Sequence, residues 1–109
     1  MSNRAVFMVR AVVADPADRP AFDHWYAEEH LPDAHRMFGA RSAWRGWSLA
    51  DPSVHLAFYE FDDATAMRAA TNSPALAELV AEFDRVWGTR VTRSREMIEM
   101  AGEITAPST

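Results

Sequence analysis

The most informative segment of the sequence spans residues 22–32 and reads Phe-Asp-His-Trp-Tyr-Ala-Glu-Glu-His-Leu-Pro. Within it, a stripe of side chains recurs at spacings of three, four, seven and eight residues, which is the periodicity of one helix face. The stripe consists of Phe22, Trp25, Tyr26, Glu29 and His30. The segment is therefore predicted to form a helix that turns a phenyl ring, an indole, a phenol and an imidazole towards the rest of the protein.

Capping residues and prolines predict where this helix begins and ends. Asp18 can cap its start, because a carboxylate accepts hydrogen bonds from the free N–H groups of a first turn. Pro32 disfavours helical geometry in the residue before it, so we expect the helix to end near His30. A second short helix, capped by Asp33, is then expected over residues 34–38.

Three strands are predicted around this helix. Residues 5–14 are rich in β-branched side chains and apolar on both parities, which is typical of a strand covered on both faces. Residues 40–50 and 54–61 flank an Asp-Pro-Ser turn, which predicts a hairpin. In the second hairpin strand, one side carries Val54, Leu56 and Phe58, and the other carries His55, Ala57, Tyr59 and Phe61.

The C-terminal half repeats the pattern of helix followed by strand. Asp62 or Asp63 can cap a helical segment to about Ala70, and Ser73-Pro74 is a helix start with a capping residue and a proline at the first position. The helix that follows has an apolar face made of Leu76, Leu79, Val80, Phe83, Val86 and Trp87. Residues 89–101 are predicted to form the last strand, and residues 102–109 a flexible tail outside a single domain of residues 1–101.

The resulting order is strand, helix, strand, strand, helix, strand, which is the ferredoxin-like βαββαβ arrangement of the α+β class. Both helices lie on one face of a four-stranded antiparallel sheet in this fold. Because the strands carry apolar residues on both parities, leaving the other face in water would expose an unusually large apolar patch. We therefore expect a homodimer in which two such faces pack together as a barrel.

Composition excludes several classes of function. The 109 residues include no cysteine, which excludes a disulfide scaffold, a thiolate metal site and a cysteine nucleophile. The formal net charge is −5 and no basic block occurs, so we expect neither nucleic acid nor a membrane as a partner. With no signal-peptide pattern and no long apolar run, a cytoplasmic location is expected. All eleven basic residues are Arg, which excludes a Schiff-base lysine.

The motif of residues 22–32 inside a βαββαβ chain of this length resembles the EthD-like members of the dimeric α/β-barrel superfamily. The likeness covers most of the chain by topology and about a dozen residues by motif. It implies a dimer and a cleft for a small molecule between helices and sheet. Relatives include isomerases, cyclases, dehydratases, cofactor-free monooxygenases, haem enzymes and proteins without an assigned reaction, so the fold leaves the chemistry open.

His30 and Tyr26 are the candidate catalytic residues, because they lie one turn apart on the predicted buried face. Burial lowers the pKa of an imidazole and a nearby helix C-terminus raises it, so we expect His30 to titrate near neutrality. Such a group can act as a general acid or base in an apolar pocket. Alternatively, His30 only caps the last helical carbonyls or holds the turn before Pro32.

Further candidates concern binding. The predicted ligand-binding residues are Phe22, Trp25, Trp44, Trp47, Arg45, His55 and Tyr59. Trp44 and Trp47 lie on opposite faces of their strand, so only one can reach the helix side. The sequence leaves open which parity of the hairpin faces the helices. One alternative places His55 and Tyr59 in the dimer interface, and we favour it for His55. His24 is expected to pair with Glu28, and no metal site is expected, since His35 and His30 lack a two-histidine helical spacing.

Three functions are compatible with these observations. The first is a cofactor-independent enzyme that transfers a proton on an apolar carbonyl or aromatic compound, with a cofactor-free monooxygenase as its variant. The second is a dimeric protein that binds a small apolar or aromatic ligand without catalysis, in an accessory or stress-related role. The third is a dimerisation module whose cleft is filled by its own side chains.

Overall fold

A computed structural model describes residues 3–107 and contains a four-stranded antiparallel sheet with helices on one face. The strands are β1 (Ala5–Val13), β2 (Ser42–Trp47), β3 (Val54–Phe61) and β4 (Val91–Glu99), in the spatial order β2-β3-β1-β4. The predicted ferredoxin-like fold is therefore confirmed. Residues 100–107 carry no regular secondary structure, and residues 1, 2, 108 and 109 of the predicted domain and tail lie outside the described residues.

The first helical segment continues past the point where the sequence predicted its end. α1 (Arg19–Trp25) passes into a π-helical turn (Tyr26–His30) and then into α2 (Leu31–Phe38). In the wide turn, the N–H of Leu31 donates to the carbonyl of Tyr26, five residues earlier. Because Pro32 has no N–H to add to the helical ladder, this wider turn lets the chain remain helical where a regular α-helix would break.

The π-helical turn also changes which side chains face inward. Glu29, predicted on the buried stripe, is exposed, whereas Phe22, Trp25, Tyr26 and His30 are buried. Asp33 is not the cap of a separate helix, because it lies inside α2 and pairs with Arg36 at 3.1 Å. The expected pair between His24 and Glu28 is absent from the described ion pairs, since the wider turn removes regular four-residue spacing.

The second helical segment matches its sequence signals closely. Asp63 caps α3 (Ala64–Thr71) by accepting from the N–H of Ala66 at 2.8 Å. Ser73 caps α4 (Pro74–Trp87) through the N–H of Ala75, and Pro74 occupies the first turn as predicted. Gly88 ends α4 with a φ of 57°, a conformation that costs glycine little.

The strand register fixes which side chains face the helices. Phe7 of β1 lies opposite Tyr59 of β3, and Ala11 lies opposite His55, so these four residues share the helix-covered face. This placement corrects the expectation that His55 lies in a dimer interface, and it excludes the same alternative for Tyr59. The opposite sheet face carries Val6, Met8, Val12, Trp44, Leu56, Phe58 and Ile98. In the described chain, no helix is long and apolar enough to cross a membrane.

Candidate functional site

An aromatic cluster lies between the first helical segment, α4 and the sheet. We define this aromatic cluster as Phe22, Trp25, Tyr26, His30, His55 and Trp87, all of them buried. Its ring centroids lie between 4.4 and 6.2 Å apart in the contacting pairs, with Phe22 packed against four of the other rings. Trp47 and Phe83 pack against its edges. The structure thus brings together every predicted site residue except Trp44.

His30 occupies the end of the π-helical turn and is 8% exposed. Its ring stacks on Trp25 at 4.6 Å and meets the edge of Tyr26 at 4.9 Å. Its Nδ1 atom has no hydrogen-bond partner within residues 3–107. Burial, together with the charge of Arg93, lowers the pKa of His30 to about 4. The expectation of titration near neutrality is wrong, because the helix continues and no C-terminal dipole offsets the burial.

Two buried phenols meet beside this histidine. The hydroxyl oxygens of Tyr26 and Tyr59 lie 3.4 Å apart, close enough for one to donate to the other. Burial raises the pKa of Tyr26 to about 12, and burial and the neighbouring phenol raise the pKa of Tyr59 well above its ordinary value. Both side chains are therefore neutral in the physiological range and can donate or accept a hydrogen bond.

His55 is 1% exposed and lies on β3 beneath the π-helical turn. Its Nε2 atom is 3.1 Å from Nη1 of Arg45, while its Nδ1 atom has no partner in the part of the chain that the structure describes. Burial first and the charge of Arg45 second lower the pKa of His55 to about 4. His55 is consequently neutral at physiological pH.

Asp23 anchors this arrangement from α1 and was not among the predicted site residues. Its Oδ1 atom accepts from Nη1 of Arg45 at 2.9 Å and from Nε1 of Trp47 at 2.8 Å. Its backbone carbonyl accepts from Nη2 of Arg45 at 3.2 Å. The hydrogen bonds from Trp47 and Arg45 lower the pKa of the Asp23 carboxyl group. The alternation of β2, which places Arg45 and Trp47 on one face, is the sequence signal that could have found this triad.

α4 and β4 complete the cluster with residues that the sequence analysis assigned only to the core or left out. Nε1 of Trp87 is buried without a hydrogen-bond partner among the described residues. Arg93 lies 4.0 Å above the ring of Phe83 and pairs with Asp84. The charge of this guanidinium contributes to lowering the pKa of His30.

Trp44 lies away from the cluster, on the open face of the sheet. It is 46% exposed and stacks on Phe58 with ring centroids 5.0 Å apart. A role for Trp44 in the wall of a pocket beneath the helices is therefore wrong, because its parity turns it to the opposite face. The prediction that Trp44 and Trp47 lie on opposite faces of their strand is confirmed.

Two pockets are lined by residues of the first helical segment together with residues of β2. The α1 cleft has a volume of about 590 Å³ and is lined by Pro16, Arg19, Pro20, Asp23, Trp47, Ser48, Leu49 and Pro52. A smaller pocket of about 190 Å³ is lined by Leu31, Pro32, His35 and Ala43. The α1 cleft shares Asp23 and Trp47 with the hydrogen-bonded triad. Within residues 3–107, no three His, Cys, Asp or Glu side chains are grouped so as to hold a metal ion.

The arrangement has a specific chemical capacity. Three buried nitrogen atoms, on His30, His55 and Trp87, lack partners in the described structure, although buried polar groups are nearly always hydrogen-bonded. Two neutral phenols lie within the same layer. An oxygen atom of a planar molecule could accept from N–H groups of this kind, and the ring of such a molecule could contact aromatic side chains.

Neither a protein-family model nor a curated protein matches the chain. Solved structures do. A variant of SnoaB, a cofactor-independent oxygenase from Streptomyces nogalater, is similar with a TM-score of 0.71 and 13% identity, over 96% of this chain and 100% of that one. An EthD family protein from Bacillus halodurans has a TM-score of 0.62 and 19% identity, covering 87% and 99%. HapK from Hahella chejuensis has a TM-score of 0.68 and 16% identity, covering 95% and 99%. At these identities the likeness establishes the fold.

Proposed function

We propose that this chain, which has the fold of the dimeric α/β-barrel (ferredoxin-like) superfamily, binds a small planar compound at the aromatic cluster and transfers a proton on it without a cofactor. The substrate class is an apolar aromatic compound with an enolisable carbonyl or a phenolic hydroxyl group. The catalytic residues are His30 as proton acceptor and Tyr26 as its hydrogen-bonding partner at the substrate oxygen.

One observation carries this proposal: three unpartnered buried nitrogen atoms belong to one cluster. Leaving a buried donor or acceptor unsatisfied costs about 1–3 kcal/mol for each group. A fold that needed only a core could place apolar side chains at His30, His55 and Trp87 and avoid this cost. A ligand that supplies hydrogen-bonding atoms explains why polar side chains stand there instead.

The chemistry follows from the state of His30. Its low pKa keeps the imidazole neutral, so one ring nitrogen offers a lone pair to a substrate C–H or O–H group. Once the proton has moved, the imidazolium lies beside the enolate or phenolate it has produced. That negative charge favours the protonated form of His30 and offsets the effect of burial. The Tyr26 hydroxyl group can donate a hydrogen bond to the developing oxyanion.

The α1 cleft provides the route to the cluster. Its volume of about 590 Å³ lies within the roughly 300–1,000 Å³ typical of small-molecule sites. Trp47 forms part of its wall and also packs against Phe22 and His55. In this proposal, a ligand that enters the cleft reaches the cluster once the Trp47 side chain moves aside, which breaks its hydrogen bond to Asp23.

The open face of the sheet supports a homodimer as part of the same proposal. Trp44, Phe58 and Ile98 all lie on this face, and Trp44 and Ile98 are more than two-fifths exposed. Burying such side chains against a second copy of the chain is favourable by about 25 cal/mol per Å² of apolar surface. The helix-covered cluster then remains separate in each subunit.

Deuterium incorporation tests the proposed reaction. Purified protein is incubated in D₂O with 2-tetralone or 1-indanone, two enolisable aromatic ketones, and exchange at the carbon next to the carbonyl is followed by proton NMR. We expect catalysed exchange by the wild type, loss of at least about 100-fold with His30→Ala, and full activity with His24→Ala, an exposed histidine on the same helical segment. Equal rates for the wild type and His30→Ala would eliminate the catalytic role.

Binding without catalysis is the second candidate, and the closure of the cluster favours it. Tyr26 and His55 are each 1% exposed, so a ligand could be held there without turnover. Quenching of tryptophan fluorescence by 2-tetralone with no deuterium exchange would support this candidate. Consumption of oxygen during the same incubation would instead support the monooxygenase alternative, which agrees with the description of SnoaB as a cofactor-independent oxygenase.

A further inference from the structure

Arg45 joins an acidic residue to a buried histidine. Its Nη1 atom lies 2.9 Å from Oδ1 of Asp23 and 3.1 Å from Nε2 of His55. A guanidinium nitrogen of this type carries two hydrogens and accepts none. One hydrogen therefore donates to Asp23 and the other donates to His55. The guanidinium is held in this orientation because Nη2 donates to the backbone carbonyl of Asp23.

This geometry determines the tautomer of His55. Because Arg45 can only donate, Nε2 of His55 must accept, and a neutral imidazole that accepts at Nε2 carries its proton at Nδ1. The Nδ1 atom is buried and has no partner in the described structure. His55 therefore holds a hydrogen-bond donor inside the aromatic cluster. The centroids of the His55 and Tyr26 rings are 4.4 Å apart.

We propose that Asp23 and Arg45 act as positioning residues that lock His55 in its Nδ1–H form, so that His55 donates a hydrogen bond to the carbonyl or phenolate oxygen of the bound substrate. This inference rests on the proposed function and assigns the two histidines different tasks: His30 takes the proton and His55 stabilises the oxyanion. It also restricts the substrate to compounds that place an acceptor oxygen within the cluster.

The surroundings of His55 suit a neutral donor. The charged and titratable groups acting on it are Arg45, Asp23, His30 and Tyr26, while Phe22 and Trp47 contribute apolar ring contacts. A second N–H at Nε2 would point at the Arg45 guanidinium, so protonation of the ring is opposed by a like charge. A fixed neutral donor strengthens its hydrogen bond as negative charge develops on the substrate oxygen.

The tautomer can be measured without any substrate. Long-range ¹H–¹⁵N correlation spectra of uniformly labelled protein distinguish a protonated ring nitrogen from one that carries a lone pair. We expect the wild type to show His55 protonated at Nδ1, and Arg45→Met to populate the Nε2–H form. Arg41→Met, which alters an exposed arginine paired with Glu60, is the control and should leave the His55 pattern unchanged. A wild-type His55 protonated at Nε2 would overturn the inference, whatever reaction the protein performs.

The catalytic part is tested by the exchange of 2-tetralone. Loss of one oxyanion donor typically lowers kcat by about 100- to 1,000-fold, so we expect a decrease of this order for His55→Phe with little change in KM. Arg45→Met and the milder Asp23→Asn should lower kcat less than His55→Phe does, in proportion to the loss of the Nδ1–H tautomer. Near-UV circular dichroism verifies that each variant is folded. An unchanged kcat in His55→Phe would refute the donor role while leaving the role of His30 intact. Absence of exchange in the wild type would instead count against the proposed function.

Discussion

Lowering the pH from 7.5 to 5 should destabilise this protein through its two buried histidines. Burial lowers the pKa of His30 and of His55 from 6.5 to about 4. At pH 5 the unfolded chain therefore binds nearly one proton at each imidazole, whereas the folded chain binds almost none. Because the unfolded state binds more protons, the free energy of unfolding falls as the pH falls through this window.

The size of the effect follows from the two pKa values. Holding one imidazole neutral at pH 5 costs about 2 kcal/mol relative to pH 7.5, so the pair costs about 4 kcal/mol. Folded domains typically have a free energy of unfolding of about 5–15 kcal/mol, so the loss at pH 5 is a large part of the total. The His30→Phe variant, which keeps an aromatic ring on Trp25, should lose only about half as much stability between the two pH values.

Urea denaturation followed by circular dichroism, at equal protein concentration, measures this difference. His24→Ala is the matched control, since His24 is exposed on the same helical segment and its replacement should retain the full acid-dependent loss. If His30→Phe lost as much stability as the wild type between pH 7.5 and 5, the assignment of His30 as a buried neutral imidazole would be refuted.

Three further predictions concern other parts of the molecule. Replacing Asp23 by Ala removes the carboxylate that accepts from Trp47 and from Nη1 of Arg45, and should lower the free energy of unfolding by about 1–3 kcal/mol, measured by urea denaturation. Trp44→Arg places a charge on the open sheet face and should shift the mass in sedimentation equilibrium from two chains to one; an unchanged dimer would contradict the proposed interface. Gly39 follows the last residue of α2 with a φ of 64°, so Gly39→Ala should lower the thermal midpoint through a penalty of about 1 kcal/mol; an unchanged midpoint would refute that cost.

The elements with strong local signals were predictable from the sequence. The strand predicted over residues 54–61 has those bounds, and Ser73-Pro74 begins α4 as predicted. These signals depend on side chains acting within a few residues, through capping, alternation and turn formation. The ferredoxin-like fold, which the order of elements predicted, is confirmed by the topology of the sheet.

The wide turn before Pro32 was not predictable from local rules. Sequence rules end a regular α-helix before proline, but they do not weigh a π-helical turn that tertiary packing holds in place. The placement of Trp25 and His30 against Phe83 of α4 is such a packing contact. Continuation of the helix in turn removed the dipole that was expected to raise the pKa of His30.

The choice between the two faces of β3 was also beyond the sequence. Val54, Leu56 and Phe58 are more apolar than His55, Ala57 and Tyr59, so hydrophobicity alone favours the parity that the structure turns away from the helices. Pairing with β1 determines which side of β3 is covered. Phe7 and Ala11 face the helices, and Tyr59 and His55 lie opposite them on the same face. Asp23 was missed for a related reason: its partners Arg45 and Trp47 are distant in sequence and meet it only in the folded chain.

The central claim is that the aromatic cluster binds a small planar carbonyl compound. Titration with 2-tetralone, followed by the imidazole signals of all four histidines in ¹H–¹⁵N spectra, tests it most directly. We predict saturable shifts of the His30 and His55 signals, with the exposed His24 and His35 unaffected. Shifts confined to His24 or His35, or no saturable shift at His30 and His55, would contradict the claim.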